Sequence, residues 1–222
     1  MWCVPKLTSE FKERMEDILD VYARPYNAKE PVVCLDEKSK QLLADSRPSL
    51  PTAKGKTAIQ DYEYVRKGTG NIFVAVQPLA GKRITQVTKR RTKKDYAFFI
   101  ERLVAHYPKA KVIHLVQDNL NTHFFPSLVE AFRVRKARKL WKKIKPHYTP
   151  KHASWLNMAE IEINAISTQC LNRRIASLDG LYEEVEACVA RRNRDRAMIN
   201  WTFSREKAKK TFPKLYLNEL CG

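Results

Sequence analysis

Apolar residues recur along this chain with two periods, and each change of period marks a new element. Phe11, Met15, Ile18, Leu19 and Tyr22 share one helical face. Ser9 can cap that run and Pro25 stops it, which predicts a first helix over 9–24. "PVVCLDE" follows as a compact apolar run, predicted as a buried strand ending near Asp36. Residues 45–60, rich in Pro, Ser, Lys and Thr, read as a mobile loop. "DYEYVRK", "NIFVAVQP" and "KRITQVTK" then alternate or run apolar, punctuated by "GTG" and "LAG", which predicts a three-strand antiparallel meander with tight turns.

From residue 93 the period becomes helical. Tyr96, Phe99, Ile100, Leu103 and Val104 form one stripe, and Pro108 closes it. "KVIHLVQD" is apolar enough for a strand covered on both faces. A helix is expected over 126–143, then a short strand "KPHY", then a helix in "ASWLNMAEIEINAISTQCL" with Leu156, Ala159, Ile163, Ile166 and Cys170 facing inward. A last helix fits 178–193 with Leu181, Val185, Cys188 and Val189 buried. A meander followed by alternating helices and strands predicts an α/β fold with a mixed sheet flanked by helices.

Composition narrows the partners. The 222 residues carry 42 Lys+Arg against 24 Asp+Glu, a formal charge of +18, while 44% are hydrophobic. Such a chain buries a real core and projects a strong positive field, so polyanions, and nucleic acid above all, are the expected partners. Five widely spaced cysteines with no Cys-x-x-Cys pair fit neither a disulfide framework nor a zinc knuckle. No run approaches the roughly 18 apolar residues of a membrane span. The N-terminus lacks an apolar signal core, so a cytoplasmic location is expected and no membrane partner.

Chemistry enters at two strand ends. In open α/β sheets functional groups gather beyond the carboxyl ends of strands, and Asp36 and Asp118 both fall there. Side by side, two carboxylates repel unless a cation lies between them, and hard oxygen ligands suit Mg2+ or Mn2+. A third carboxylate from a nearby helix would complete a two-metal site for in-line displacement at phosphorus. Glu160 and Glu162 both flank the apolar stripe of their helix, and spacing leaves the choice open. Each acid has a plainer reading too: "DNLNTH" has turn-forming composition, and Asn157 with Glu160 resembles a helix-capping pair.

"VVCLDEKSKQLL", "DYEYVRKGTGNIFVAVQPLAG", "VQDNLNTH" and "HYTPKHASWLNMAEIEINAISTQCL" together resemble the catalytic domain of DDE transposases. The branch they look most like is the bacterial insertion-sequence six-thirty family within the Tc/mariner superfamily. The resemblance runs from Trp2 to about Tyr216. It implies an RNase H-like fold and a catalytic, metal-holding triad of Asp36, Asp118 and Glu160, with Glu162 the runner-up. Two Mg2+ or Mn2+ ions, double-stranded DNA as substrate and target, and a homodimer pairing two transposon ends are also implied. Asn119, His123 and Asn157 are expected to support the site or touch DNA, or else to serve as turn, core and cap.

Basic residues cluster as "KRRTKK" at 89–94, "RVRKARKLWKKIK" at 133–145 and "RRNR" at 191–194. Arg90, Arg91, Lys93, Lys94, Arg135, Lys136, Arg138, Lys139, Lys142 and Lys143 are the candidate phosphate contacts. The expected organisation is an N-terminal helical arm at 1–30, a catalytic domain at 31–200 and a C-terminal extension at 201–222. Family members usually carry helix-turn-helix modules ahead of this domain, so recognition of transposon ends is expected from a separate module. The family also often has Gly where Ala153 stands. Competing readings are a non-catalytic DNA-binding remnant and an RNase H-like nuclease.

Overall fold

The structure is a computed structural model describing residues 7–47 and 62–216. Most of the loop expected over 45–60, and both chain ends, lie outside the described residues. Five strands form one mixed sheet in the order β3-β2-β1-β4-β5. They are β1 Val32–Asp45, β2 Tyr64–Gln77, β3 Lys82–Thr88, β4 Ile113–Gln117 and β5 Ile144–Tyr148. β1, β2 and β3 pair antiparallel, whereas β4 runs parallel to both β1 and β5.

Among the described residues, seven helices cover the two faces. α2 (Lys93–His106), α3 (Phe125–Ala131) and α4 (Val134–Trp141) pack on one side, over Val33, Leu35, Phe73 and Leu115. On the other lie α1 (Ser9–Tyr22), α5 (Met158–Gln169), α6 (Leu178–Arg194) and α7 (Arg205–Thr211). The strand period of two explains the division: along β1, Val33 and Leu35 face α2, while Cys34 faces α1. The mixed α/β sheet flanked by helices expected from the sequence is the arrangement found.

Several boundaries differ from the sequence reading. β1 does not end near Asp36 but runs on to Asp45, and this extension gives residues 64–70 a partner. "DYEYVRK" and "NIFVAVQP" therefore merge into one strand, with "GTG" inside it rather than at a turn. The ladder slips by one residue between Leu42 and Leu43, opposite Gly68 at φ 101°, a backbone angle glycine adopts without strain. The meander is thus β1-β2-β3. The helix expected over 126–143 is two helices, broken at Phe132 and Arg133, both in extended backbone. That break sets the Phe132 ring edge-on to Phe98 at 5.2 Å, with Lys136 Nζ 4.0 Å above it. The first helix is capped by Thr8, whose side chain accepts the Phe11 N–H, not by Ser9. α5 begins at Met158, and Leu156 is buried from a preceding 3-10 turn.

Both ends of the described chain meet on the α5 face. Phe11 of α1 contacts Phe212 edge-on at 6.1 Å, and Trp155 packs between Phe203 and Phe212. Trp155 is therefore a packing residue, and Trp141, 6.2 Å from Phe125, anchors α4 to the core. Cys34, Cys170 and Cys188 are free and buried. Among the described residues no helix is long and apolar enough to cross a membrane.

Candidate active site

Register alone brings two acids together. Cys34 of β1 pairs with Val116 of β4, so two residues further along, Asp36 on β1 and Asp118 just past the end of β4 come near one another. α5 packs against β1 and is locked to it by Asn157. The Asn157 side chain caps the helix by accepting the Ala159 N–H, and its Nδ2 donates to the Leu35 carbonyl at 2.8 Å and reaches Asp36 Oδ2 at 3.5 Å. Tyr22 adds a second latch, donating to the Leu156 carbonyl at 2.8 Å and accepting from Met158 N–H. Glu160, in the first turn of α5, is thereby held over the strand ends and exposed.

The electrostatics follow the placement. Burial pushes the Asp36 carboxyl up to about 7; the Glu37 N–H bond opposes this, and the charges of Asp118, Glu160 and Glu37 push it further up. Asp118 and Glu160 are thus close enough to bear on Asp36. Among the described residues, however, no three such side chains close into a ready ligating cluster. The donor set still fits a hard divalent cation: three carboxylates from separate elements come near one another, and their excess negative charge is held against Asp36.

Glu162 has a different environment. It is wholly buried, with Arg83 Nη2 at 2.9 Å and Arg192 at 2.6 and 3.0 Å. Burial raises its carboxyl, but the bonds from Arg192 and Arg83 outweigh that and hold it low. Arg83 also donates to the carbonyls of Gly81 and Ala197, which ties β3, α5 and α6 together. Arg83 did not stand out in the sequence, and Arg192 did so only within the basic block "RRNR", because their pairing with Glu162 depends on strands and helices far apart in the chain.

Asn119 is exposed beside Asp118 and lines a groove of about 930 Å³ with Arg14, Lys151 and His152. His152 takes φ 61°, while Ala153 next to it has φ −126°, so alanine is unstrained at the position where the family often has glycine. His123 is buried beneath Asp118. Its Nδ1 lies 2.5 Å from Asp118 Oδ1 and its Nε2 3.0 Å from Glu37 Oε1. Burial pulls the ring down, yet the two carboxylates prevail and lift it to about 9, so it is an imidazolium at neutral pH. His147 instead bonds His114 at 2.9 Å and Asp17 at 2.7 Å, a polar chain under α1.

The basic blocks divide by position. β3 runs parallel to β1 through the antiparallel β2, so Arg90, Arg91, Lys93 and Lys94 follow the sheet end toward which β1 leads from Asp36. Arg91 stands 3.9 Å from Glu37, and Lys93 is 3.5 Å from Glu130. Arg135, Arg138 and Lys139 are exposed on α4, where Lys136 pairs with Glu101. Lys142 and Lys143 precede β5, whose Ile144 pairs with Ile113, at the end of the sheet away from Asp118. Lys143 Nζ donates there to the Pro108 and Ala110 carbonyls.

A family model described as DDE superfamily endonuclease matches residues 31–182. Comparison with curated protein sequences finds no match. Among solved structures, the chain is similar to the Mos1 mariner paired-end complex with Mn, at TM-score 0.57 and 15% identity, covering 99% of this chain and 65% of that one. The Mos1 paired-end complex with Mg gives 0.56 and 14%, covering 97% and 62%. The Mos1 strand transfer complex gives 0.56 and 14%, covering 99% and 64%. At such identities the likeness establishes the fold, and the chain spans under two thirds of the length of these relatives.

Proposed function

The chain belongs to the DDE superfamily endonuclease family, and on that premise we propose that it is a transposase catalytic domain of the insertion-sequence six-thirty type, cleaving DNA and transferring strands with Mg2+ or Mn2+. Residues 31–200 form the catalytic body in this reading, with 1–30 as an arm and 201–222 as an extension. The observation that carries it is register: Cys34 pairs with Val116, so Asp36 and Asp118 lie past the same end of that pairing, with Glu160 near enough for its charge to bear on Asp36.

Those three residues would hold two cations. Glu160 is the third ligand rather than Glu162, because the charge of Glu162 is already matched by Arg83 and Arg192 in a site closed to solvent. When bound, such ions lower the pKa of the attacking water and stabilise the leaving oxygen. The protein's own part is positional. Asn157 fixes the start of α5 against β1, so that Glu160 and Asp36 keep their separation. The groove beside Asp118 offers a strand of DNA a path past the carboxylates, while Arg90, Arg91, Lys93 and Lys94 supply phosphate contacts near the chemistry. The α4 cations hold DNA further out. Pairing of two transposon ends calls for a homodimer, and end recognition for a helix-turn-helix module outside this domain. The setting is the bacterial cytosol, where the DNA lies.

The test is nicking and strand transfer on supercoiled plasmid with Mn2+, Mg2+ or EDTA, beside Asp118→Asn. Metal-dependent cutting that disappears in the variant supports the reading. Plasmid binding by both proteins with cutting by neither would instead make the chain a DNA-binding fragment.

A further inference from the structure

Asp118 occupies an exposed mechanical position. The β1-β4 ladder ends at Cys34 and Val116, and the β4-β5 ladder ends at Gln117 and Tyr148, so Asp118 is the first residue that neither ladder holds. A carboxylate there would swing freely unless something gripped it. His123 stands in the gap, and everything around it fixes its place. Its ring stacks on Tyr96 at 4.7 Å with 29° between planes. Its carbonyl accepts from Gln117 Nε2 at 3.1 Å and from the Tyr148 hydroxyl at 3.0 Å. The Tyr96 hydroxyl in turn donates to Gln117 Oε1 at 3.0 Å.

A core histidine needs one hydrogen-bond partner; this one presents both ring nitrogens to carboxylates, Asp118 on one side and Glu37 on the other. Glu37 follows Asp36 on β1 and so belongs to the opposite face of the sheet, with a nearly buried side chain. The bridge Glu37–His123–Asp118 therefore joins β1 to β4 where their backbone pairing has stopped. Nδ1 also donates to the Asp118 backbone carbonyl at 3.2 Å, so His123 holds the main chain of Asp118 by a hydrogen bond and its carboxylate by the 2.5 Å contact.

We propose that Glu37 and His123 are a positioning pair that aims the Asp118 carboxylate at a bound divalent cation and so sets the affinity of the site. This rests on the metal-site reading above. Neither residue touches the cation; Glu37 acts only through His123. Outer-shell partners of this kind are typically worth about 10–100-fold in metal affinity.

The experiment is calorimetric titration of the purified chain with Mn2+ alone, with thermal melting of each variant alongside. His123→Phe keeps the ring on Tyr96 and removes both donors; it is expected to weaken Mn2+ binding about 10–100-fold. Glu37→Gln keeps an acceptor and loses the charge, and is expected to weaken binding less. The double variant is expected to bind no worse than His123→Phe, because the two residues lie on one line of action. Wild-type affinity in Glu37→Gln, or deficits that multiply in the double variant, would overturn the proposal, and Glu37→Gln decides it even where His123→Phe does not fold. Asp118→Asn separates the two levels of inference. If it too binds Mn2+ like the wild type, the metal site itself is misplaced; if it alone loses binding, only the positioning pair fails.

Discussion

Two glutamates two positions apart on α5 stand in opposite surroundings, and on the proposed function they divide chemistry from architecture. Glu162 is sealed between Arg83 and Arg192, and Glu160 looks out over Asp36. Glu160→Gln is expected to abolish plasmid nicking while stability stays within about 0.5 kcal/mol, as for an exposed substitution. Glu162→Gln should cost about 3–5 kcal/mol by stranding the buried guanidinium of Arg83 and the half-buried one of Arg192. In a domain of this size that lowers the melting temperature by roughly 6–20 °C, read by circular dichroism. Asp36 makes a second prediction. Its folded pKa of about 7 lies above the ordinary 3.8, so the folded chain holds a proton there that the unfolded chain releases. Stability from this group is full below the ordinary value and is lost as pH rises to about 7. A cation must displace that proton, so the rise in melting temperature produced by Mn2+ should be larger near pH 8 than near pH 6. Asp36→Asn should remove the difference. His123, with its value of about 9, stays charged across that window and does not blur the result.

At the scale of elements, local pattern and tertiary partner contribute unequally. β4 was legible because Ile113, Leu115 and Val116 make a compact apolar run, and Ile113–Gln117 is buried on both faces. α2, α5 and α6 were legible because each buries one stripe. The merging of two runs into β2 was not, since "GTG" is a turn signal until β1 extends far enough to pair with it. Spacing left Glu160 and Glu162 open and only the resemblance favoured Glu160; the arginines from β3 and α6 that enclose Glu162 were not legible. Glu37 sat in plain view within "LDE", but only the alternation of a strand that continues past Asp36 sends it to the other face. The turn before β3 gives a direct check of such non-local control. Gly81 has φ 61°, and a Cβ there would lie 2.6 Å from the backbone carbonyl of Arg196. Backbone cannot swing aside as a side-chain tip can. Gly81→Ala is expected to destabilise by about 1–3 kcal/mol from overpacking alone, visible as a lower urea midpoint with an unchanged slope. Gly70→Ala meets only the side-chain tips of Leu181 and Leu178 and should cost less.

The molecule as a whole carries +18, and position rather than sum decides what that charge does. Every exposed Lys or Arg that neutralises a phosphate releases a counterion, so removing any two contacting cations should flatten the salt dependence of DNA binding by about the same amount, roughly 1.8 in log–log slope. Catalysis asks for more, because a scissile phosphate must be held within a fraction of an ångström of the carboxylates. Arg90 and Lys94 follow β3 at the end of the sheet nearest the site, with Arg91 already reaching Glu37. Lys139 and Lys142 close α4 and lead into β5 at the far end. Arg90→Ala/Lys94→Ala and Lys139→Ala/Lys142→Ala remove equal charge, and both pairs should weaken binding with the same loss of salt sensitivity. At saturating protein, however, only the first pair should slow nicking, by at least about 10-fold, because only there does a lost contact let the phosphate drift from the reacting centre. Titration of DNA across a range of salt gives the first comparison, and single-turnover nicking gives the second. Equal rate losses in the two pairs would mean that the duplex runs along α4 to the carboxylates, and that the two basic blocks form one continuous track.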